Sequence, residues 1–249
     1  MRKFPSTLLR ISIAATAALG LSACSLSIGD DDDGEAPVAG ETVTSGSFDE
    51  VKQAGPDKVV IVPGDTASWT VDADADTVEK MRISVDDGVL KIRRKNEMFG
   101  WVSSGDIATV RVTMPVLRRF TSAGSGAADI AEMTGDSGEI AIAGSGSVSV
   151  DKIDVSRLEL DIAGSGKAAL AGTAERMELS LAGSGDVSGK QLKVDRADVS
   201  VAGSGDVDFA SDGEVEANIA GSGNVTVTGS AKCTSRAMGS GEISCNKPG

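Results

Sequence analysis

Gly-Ser-Gly occurs seven times in this chain, with first glycines at Gly124, Gly144, Gly164, Gly183, Gly203, Gly221 and Gly239 and spacings of 20, 20, 19, 20, 18 and 18 residues. Alanine precedes six of the seven copies, and Met238 precedes the last. The period is too short for a propeller blade of about 40 residues, and the Leu-x-x-Leu-x-Leu spacing of leucine-rich repeats is missing. Fourteen of the 31 glycines belong to these copies, so the glycine content records a repeat period and not a flexible polymer.

Aligning the copies on the first glycine exposes columns. Two residues before it stand Ser122, Ile142, Ile162, Leu181, Val201, Ile219 and Ala237; four before it stand Phe120, Ile140, Leu160, Leu179, Val199, Ala217 and Ser235. Four after it stand Ala128, Val148, Ala168, Val187, Val207, Val225 and Ile243. Apolar residues at alternate positions on both sides of the glycines are the period-2 mark of strands with one buried face. The glycines supply a sharp turn, since they accept backbone angles that other residues avoid. Strand, corner, strand and polar turn make one coil. The expected fold is all-β: a parallel β-helix with seven Gly-Ser-Gly-marked coils of 18–20 residues over 118–249. Coils stacking at about 4.8 Å give a rod section roughly 30 Å long.

Residues 41–117 read as short strands too. Val59-Val60-Ile61-Val62 suits a fully buried strand ending at Pro63-Gly64, Trp69-Thr70-Val71 and Met81 to Val85 alternate, and Asp87-Gly88 suits a hairpin turn. This half is expected to form the first coils or a cap that closes the open edge of the stack. Residues 1–23 read as an export signal, with Arg2 and Lys3 before an apolar run from Ile11 to Leu21. Leu21-Ser22-Ala23-Cys24 resembles the lipobox of bacterial lipoproteins, which makes Cys24 the lipidation site and new N-terminus. Residues 24–40, with Asp30-Asp31-Asp32-Asp33, read as an acidic disordered tether. Ser25 after the lipid site resembles the pattern that permits outer-membrane sorting. The expected location is therefore the bacterial cell envelope, anchored to a membrane through lipid.

Composition narrows the chemistry. The chain has no His, so Ser-His-Asp and Cys-His catalysis and imidazole zinc sites are excluded. Its net charge is -13, and removal of three basic residues with the signal leaves 21 basic against 37 acidic residues, which argues against a nucleic-acid partner. Five residues before the glycines stand Glu139, Glu159, Glu178, Asp198 and Glu216; seven before stand Arg157, Arg176 and Arg196, then Glu214 and Lys232. Both columns have outward parity, so an acidic ladder should run beside a basic one that relieves its repulsion. That is either a solvated ion-pair lattice or a flat charged surface for a glycan or envelope protein. A third column holds Lys167, Asp186, Asp206, Asn224 and Glu242, in which Asp186 and Asp206 are weak candidates for calcium. Ser125, Ser145, Ser165, Ser184, Ser204, Ser222 and Ser240 form a ladder whose hydroxyls are expected to satisfy backbone groups at the corners. Cys233 and Cys245 fall in inward columns of the last coil, and in an exported chain they suit a disulfide, with two buried thiols as the alternative.

The Ala-Gly-Ser-Gly-Asp-Val copies resemble the head GIN domain family (DUF2807), described as auto-transporter adhesins. Phe48-Asp49-Glu50-Val51, Val59 to Val62 before Gly64, Asp87 to Ile92, Trp101 and Val110 to Pro115 fit the same family. The resemblance implies a β-helical domain outside the cytoplasm, with no established catalytic residues. Two functions follow: a non-catalytic, lipid-anchored β-helix presenting a repetitive charged surface for adhesion or envelope scaffolding, or a carbohydrate-active enzyme on the same fold. Evenly repeated charges, few aromatic residues and no long insertion between Gly124 and Gly241 favour the first. No cofactor is expected.

Overall fold

The computed structural model describes residues 36–44, 46–95 and 107–246. Cys24, Asp30 to Asp33 and Trp101 lie outside the described residues. The first half runs β1 (Val43–Thr44), β2 (Glu50–Ala54), β3 (Lys58–Pro63), β4 (Ser68–Asp72), helix α1 (Ala75–Glu79), β5 (Met81–Asp86), β6 (Val89–Arg94) and β7 (Thr109–Met114). The repeat half runs β8 (Arg119–Gly124), β9 (Ala127–Ile130), β10 (Met133–Gly144), β11 (Ser147–Gly164), β12 (Lys167–Gly183) and β13 (Asp186–Gly203). It ends with β14 (Val207–Gly221), β15 (Val225–Thr228), β16 (Lys232–Gly239) and β17 (Ile243–Asn246).

The repeat half is a parallel β-solenoid. Gly124 pairs with Gly144, and the chain of partners continues through Gly164, Gly183, Gly203 and Gly221 to Gly239, about six turns on. The coil has three sides, one more than the two strands expected from the columns. In β11 the buried residues are Val148 and Val150, then Ile153 and Val155, then Leu158, Leu160 and Ile162. Between these groups Asp151-Lys152 and Ser156-Arg157 are exposed in pairs. Two successive outward residues break the alternation, and each break bends the chain without a glycine. The column Phe120, Ile140, Leu160, Leu179, Val199 and Ala217 is 0 or 1% exposed throughout, so the core is a continuous apolar stack. Register shifts fall at Val150/Ile153, Ala169/Ala171 and Gly189/Lys193, away from the Gly-Ser-Gly corner. Repeats of 18 to 20 residues therefore keep the corner and the strand before it aligned.

The corner depends on missing side chains. Gly164 has φ +119°, and a Cβ placed there would lie 2.5 Å from the Gly144 carbonyl oxygen. A Cβ on Gly166 would meet the Gly146 carbonyl at 3.1 Å and run into the Ile142 side chain of the coil below. Between them Ser165 donates its backbone N–H to Gly144 O at 2.8 Å, as Ser145 does to Gly124 O at 2.9 Å. The seven serine side chains are exposed. None of their hydroxyls makes a hydrogen bond to a described residue, which corrects the expected role: the amide holds the corner and the hydroxyl faces solvent.

The first half contributes both coils and a cap. β2 and β3 lie parallel on β8 and β9, and β6 and β7 lie parallel on the far side of β2 and β3. Chain order and stacking order thus differ. β5 then covers β6, β4 covers β7 and β1 covers β4, all antiparallel. The Asp87-Gly88 turn joins β5 to β6 with φ of 48° and 78°, as a hairpin of this twist requires. β3 is buried on one face only, since Val59 and Ile61 are inside while Val62 is 39% exposed. The segment expected as tether ends before Gly40: Pro37 is buried, Ala39 bridges Val71, and Gly40 N donates to Val71 O at 2.8 Å.

An eighth corner lacks the Gly-Ser-Gly signature. Ala54 pairs with Ala123, and Gly55 exchanges hydrogen bonds with Ala123 O and Gly126 N at 2.9 Å each. Pro56 and Asp57 stand where the repeats have serine and glycine. Asp57, 1% exposed, accepts from Arg94 Nε at 2.7 Å and Nη2 at 2.5 Å, and from Ala108 N at 2.9 Å. This bidentate pair ties the start of β3 to the end of β6 and the start of β7.

Gly164→Ala is expected to lower stability by about 1–3 kcal/mol, the scale of a forced left-handed residue. Ser165→Ala should stay within about 0.5 kcal/mol of the parent, as for a surface site. Denaturant midpoints of the two variants measure both, and equal losses would contradict the backbone account of the corner.

Candidate binding surfaces

The strand before each corner carries the acidic column. Glu139, Glu159, Glu178, Asp198 and Glu216 are successive partners along the rod. The ends of the column are neutralised: Arg119 bonds Glu139 at 2.6 Å and Glu50 at 3.2 Å, and Arg236 bonds Glu216 at 2.6 Å. Arg157, Arg176 and Arg196 are also successive partners along the rod, but among the described residues only Arg196 of these forms an ion pair, to Glu214 at 3.4 Å. Among the described residues no arginine of that column reaches the acidic one. The expected mutual relief is therefore absent, because strict register places like beside like along the rod.

The electrostatic result is visible in the middle of the column. The Glu159 carboxyl is pushed up, first by burial and then by Glu139, Asp161 and Glu178. Asp161, one residue pair further along the same face, is pushed up by burial, with Glu139 and Glu178 adding to it and a hydrogen bond with Ser180 opposing. Arg119 is held more firmly protonated, chiefly by its hydrogen bond with Glu139. Elsewhere on the rod the Asp212 carboxyl is held well below the usual range by Lys193 and by the Ser230 amide and hydroxyl.

The strand after each corner has a different character. Apart from Lys167, its outward residues are short: Ser147 and Ser149, Ala169, Asp186 and Ser188, Asp206 and Asp208. They leave an open groove of about 530 Å³ bordered by Asp129, Ser149, Lys167, Asp186, Ser188 and Asp208. Further depressions of about 330 Å³ at Lys190 and Gln191 and about 400 Å³ at Asn224 and Thr226 lie on the same side. Asp186 pairs with Lys167 at 3.3 Å, and Asp206 accepts from Asn224 N and Nδ2 at 3.1 and 3.0 Å. Those carboxylates are thus bonded to protein, and among the described residues no group of three His, Cys, Asp or Glu could hold a metal ion. The column five residues after the first glycine (Asp129, Ser149, Ala169, Ser188, Asp208) was legible in the alignment but passed over, because its small residues form no charge ladder.

Cys233 and Cys245 are joined by a disulfide across the last coil, with Cα atoms 6.6 Å apart. Closing so short a loop contributes roughly 3 kcal/mol on the chain-entropy account.

The family model described as "Putative auto-transporter adhesin, head GIN domain" matches residues 47–231. A structure from Bacteroides fragilis described as a "putative adhesin" is similar at a TM-score of 0.75 and 18% identity, covering 83% of this chain and 95% of its own. One from Parabacteroides distasonis, described as a "putative lipid binding protein", is similar at 0.66 and 24%, over the same shares of both chains. A third, a "putative adhesin" from Parabacteroides merdae, gives 0.56 and 18%, again over 83% and 95%. No curated protein matches the sequence.

Because Glu159 and Asp161 hold a proton more tightly when folded, they add stability as pH falls from neutral toward the ordinary carboxylate range, and lose it as pH rises again. Asp212 acts oppositely, but only below that range. The melting midpoint should therefore rise between pH 7 and pH 5. Glu159→Gln with Asp161→Asn should raise stability at pH 7 by on the order of 0.2–1 kcal/mol per relieved like-charge pair, and flatten the rise of the midpoint. A midpoint that falls over the same interval would refute the repulsion.

Proposed function

The chain belongs to the family described as "Putative auto-transporter adhesin, head GIN domain", and from that premise we propose that it is a non-catalytic, lipid-anchored β-solenoid of the cell envelope that holds a polymeric partner along its side. The observation that carries this reading is the in-register repetition. Each outward column repeats at about 4.8 Å over the stacked coils. A partner with its own repeat, such as an extended envelope glycan, meets the same chemistry many times, and weak contacts become avid. Anchoring rests on Leu21-Ser22-Ala23-Cys24 and the acidic stretch that follows.

The groove after the corner is the preferred side. Its Ser149, Ser188, Asp129 and Asp208 offer hydroxyls and carboxylates to sugar hydroxyls, and its alanine and serine floor admits a chain close to the backbone. The face before the corner, with its uncompensated carboxylates, suits a cationic protein surface less specifically.

A binding screen of envelope glycans against the chain checks the groove. Ser149→Arg with Ser188→Arg, which fills it, should weaken a detected glycan at least about tenfold, or about 1.4 kcal/mol, while Glu178→Gln leaves binding unchanged. Glycan turnover, or binding indifferent to the filled groove, would overturn the proposal. Separately, Cys24→Ser should move the chain from the membrane fraction to the soluble fraction.

A further inference from the structure

The groove after the corner is wider than its first depression. The space of about 530 Å³ and its neighbour of about 330 Å³ share Ser149, Ala169 and Ser188, so they are two halves of one trough. Its floor is the column Asp129, Ser149, Ala169, Ser188 and Asp208, whose members are successive partners along the rod. The trough therefore runs parallel to the rod axis over five coils, advancing about 4.8 Å with each.

Its charges select against an ionic ligand. Both edges carry mixed signs: Lys167 with Asp186 at 3.3 Å on the corner side, Asp151 and Lys190 on the other. At the ends of the floor the carboxylates are already engaged, Asp129 by Lys58 at 2.6 Å and Asp208 by the Gly189 amide at 3.1 Å. A polyanion would meet Asp129, Asp151, Asp186 and Asp208 along its length, and a polycation would first have to displace Lys58 and Lys167. The middle of the floor is neutral. There the hydroxyls of Ser149 and Ser188 have no hydrogen-bond partner among the described residues, and each can donate and accept. No aromatic residue lines either half, so hydrogen bonds to the ligand and not ring stacking must hold it.

Resting on the reading of this groove as a glycan site, we propose that its ligand is a neutral β-1,4-linked glycan lying parallel to the rod, one sugar to each coil. A β-1,4-linked chain is a straight ribbon whose sugars each advance by close to one coil spacing. Successive sugars are turned over, so the same edge of the ribbon returns at every second sugar. The floor has that period: Ser149 and Ser188 offer hydroxyls two coils apart, and Ala169 between them offers none and takes up little room. An α-1,4-linked chain winds into a helix and leaves the floor within a few sugars. A carboxylate-bearing chain of the β-1,4 linkage follows the floor but meets the acidic edges. Individually weak neutral hydrogen bonds add along the ribbon, so binding depends on chain length.

Titration calorimetry of the full chain in nonionic detergent, with β-1,4-linked oligosaccharides of glucose, mannose and N-acetylglucosamine of increasing length, tests the proposal. In at least one series affinity should climb with length and level off at about five sugars, one for each coil of the floor. Ser149→Ala with Ser188→Ala should weaken the longest member about tenfold, the scale of two neutral hydrogen bonds. Ser165→Ala, at a corner, should leave it unchanged. An α-1,4-linked glucan and a β-1,4-linked polyuronate of equal length should bind at least about tenfold more weakly. If either of these binds as tightly as the neutral β-1,4 chains, or affinity ignores length, and Ser149→Arg with Ser188→Arg still abolishes binding, the proposal is overturned while the groove stands as a glycan site. If no glycan binds, or binding ignores that filled groove, both readings are overturned.

Discussion

The fold depends on a backbone contact that no side chain can enter. At each corner the carbonyl of one glycine faces the glycine and the serine amide of the next coil, in a space that a Cβ would fill. Because the contact is made by backbone, it recurs unchanged whatever the rest of the repeat holds. It pins one point of every coil to the same axis, and the remaining residues are free to vary from 18 to 20. Register elsewhere can slip, and does, at the bends between the other sides, where some coils carry a glycine (Gly172, Gly189, Gly213) and others only polar pairs. A one-residue slip in the strand next to the corner would turn the apolar set outward, which is why the pinned strand carries the most completely buried column.

The same pinning dictates the electrostatics. In a globular sheet a carboxylate can be set beside a cation from a distant part of the chain. In a solenoid its neighbours above and below are its own copies, so a favourable residue type in one repeat becomes a like-charge stack in five. The acidic column is resolved at its ends, by Arg119 and Arg236, and left strained in its middle at Glu159. The face after the corner mixes serine and alanine with a few charges that are paired, Lys167 with Asp186 and Lys58 with Asp129, so it carries no like-charge stack of that length.

The legibility of the sequence divides along the same line. Gly-Ser-Gly spacing and the alternating columns are local signals repeated seven times, and they were sufficient for the solenoid, its corner and its core positions. The third side was hidden because its bends carry no common signature: paired polar residues such as Asp151-Lys152 in one coil, isolated glycines such as Gly135, Gly172 and Gly229 in others. The Ala54-Gly55-Pro56-Asp57 corner was missed because Asp57, bonded to Arg94, replaces a glycine by a contact 37 residues away. The inverted stacking of β6 and β7 outside β2 and β3 is likewise a non-local pairing that no periodicity records. The acidic and basic columns lie on the outer surface, but which of their residues touch was not legible: an arginine two residues from a glutamate has the right parity and, among the described residues, still makes no ion pair with it.

The closing devices at the two ends give the rod a direction. The chain enters at the capped end, where Ala39 and Gly40 lie against Val71, beside β4. Successive coils then carry the corner column away from the cap, about 4.8 Å at a time. A cap of antiparallel strands and a buried bidentate ion pair hold that end together, since both ion-pair partners must separate in a low-dielectric site before the start of β3 can leave the end of β6. The distal end faces a different demand. There a disulfide of 12-residue separation fixes the coil's shape. Among the described residues, one end of the rod is thus closed by strand pairing and the other held by a covalent cross-link.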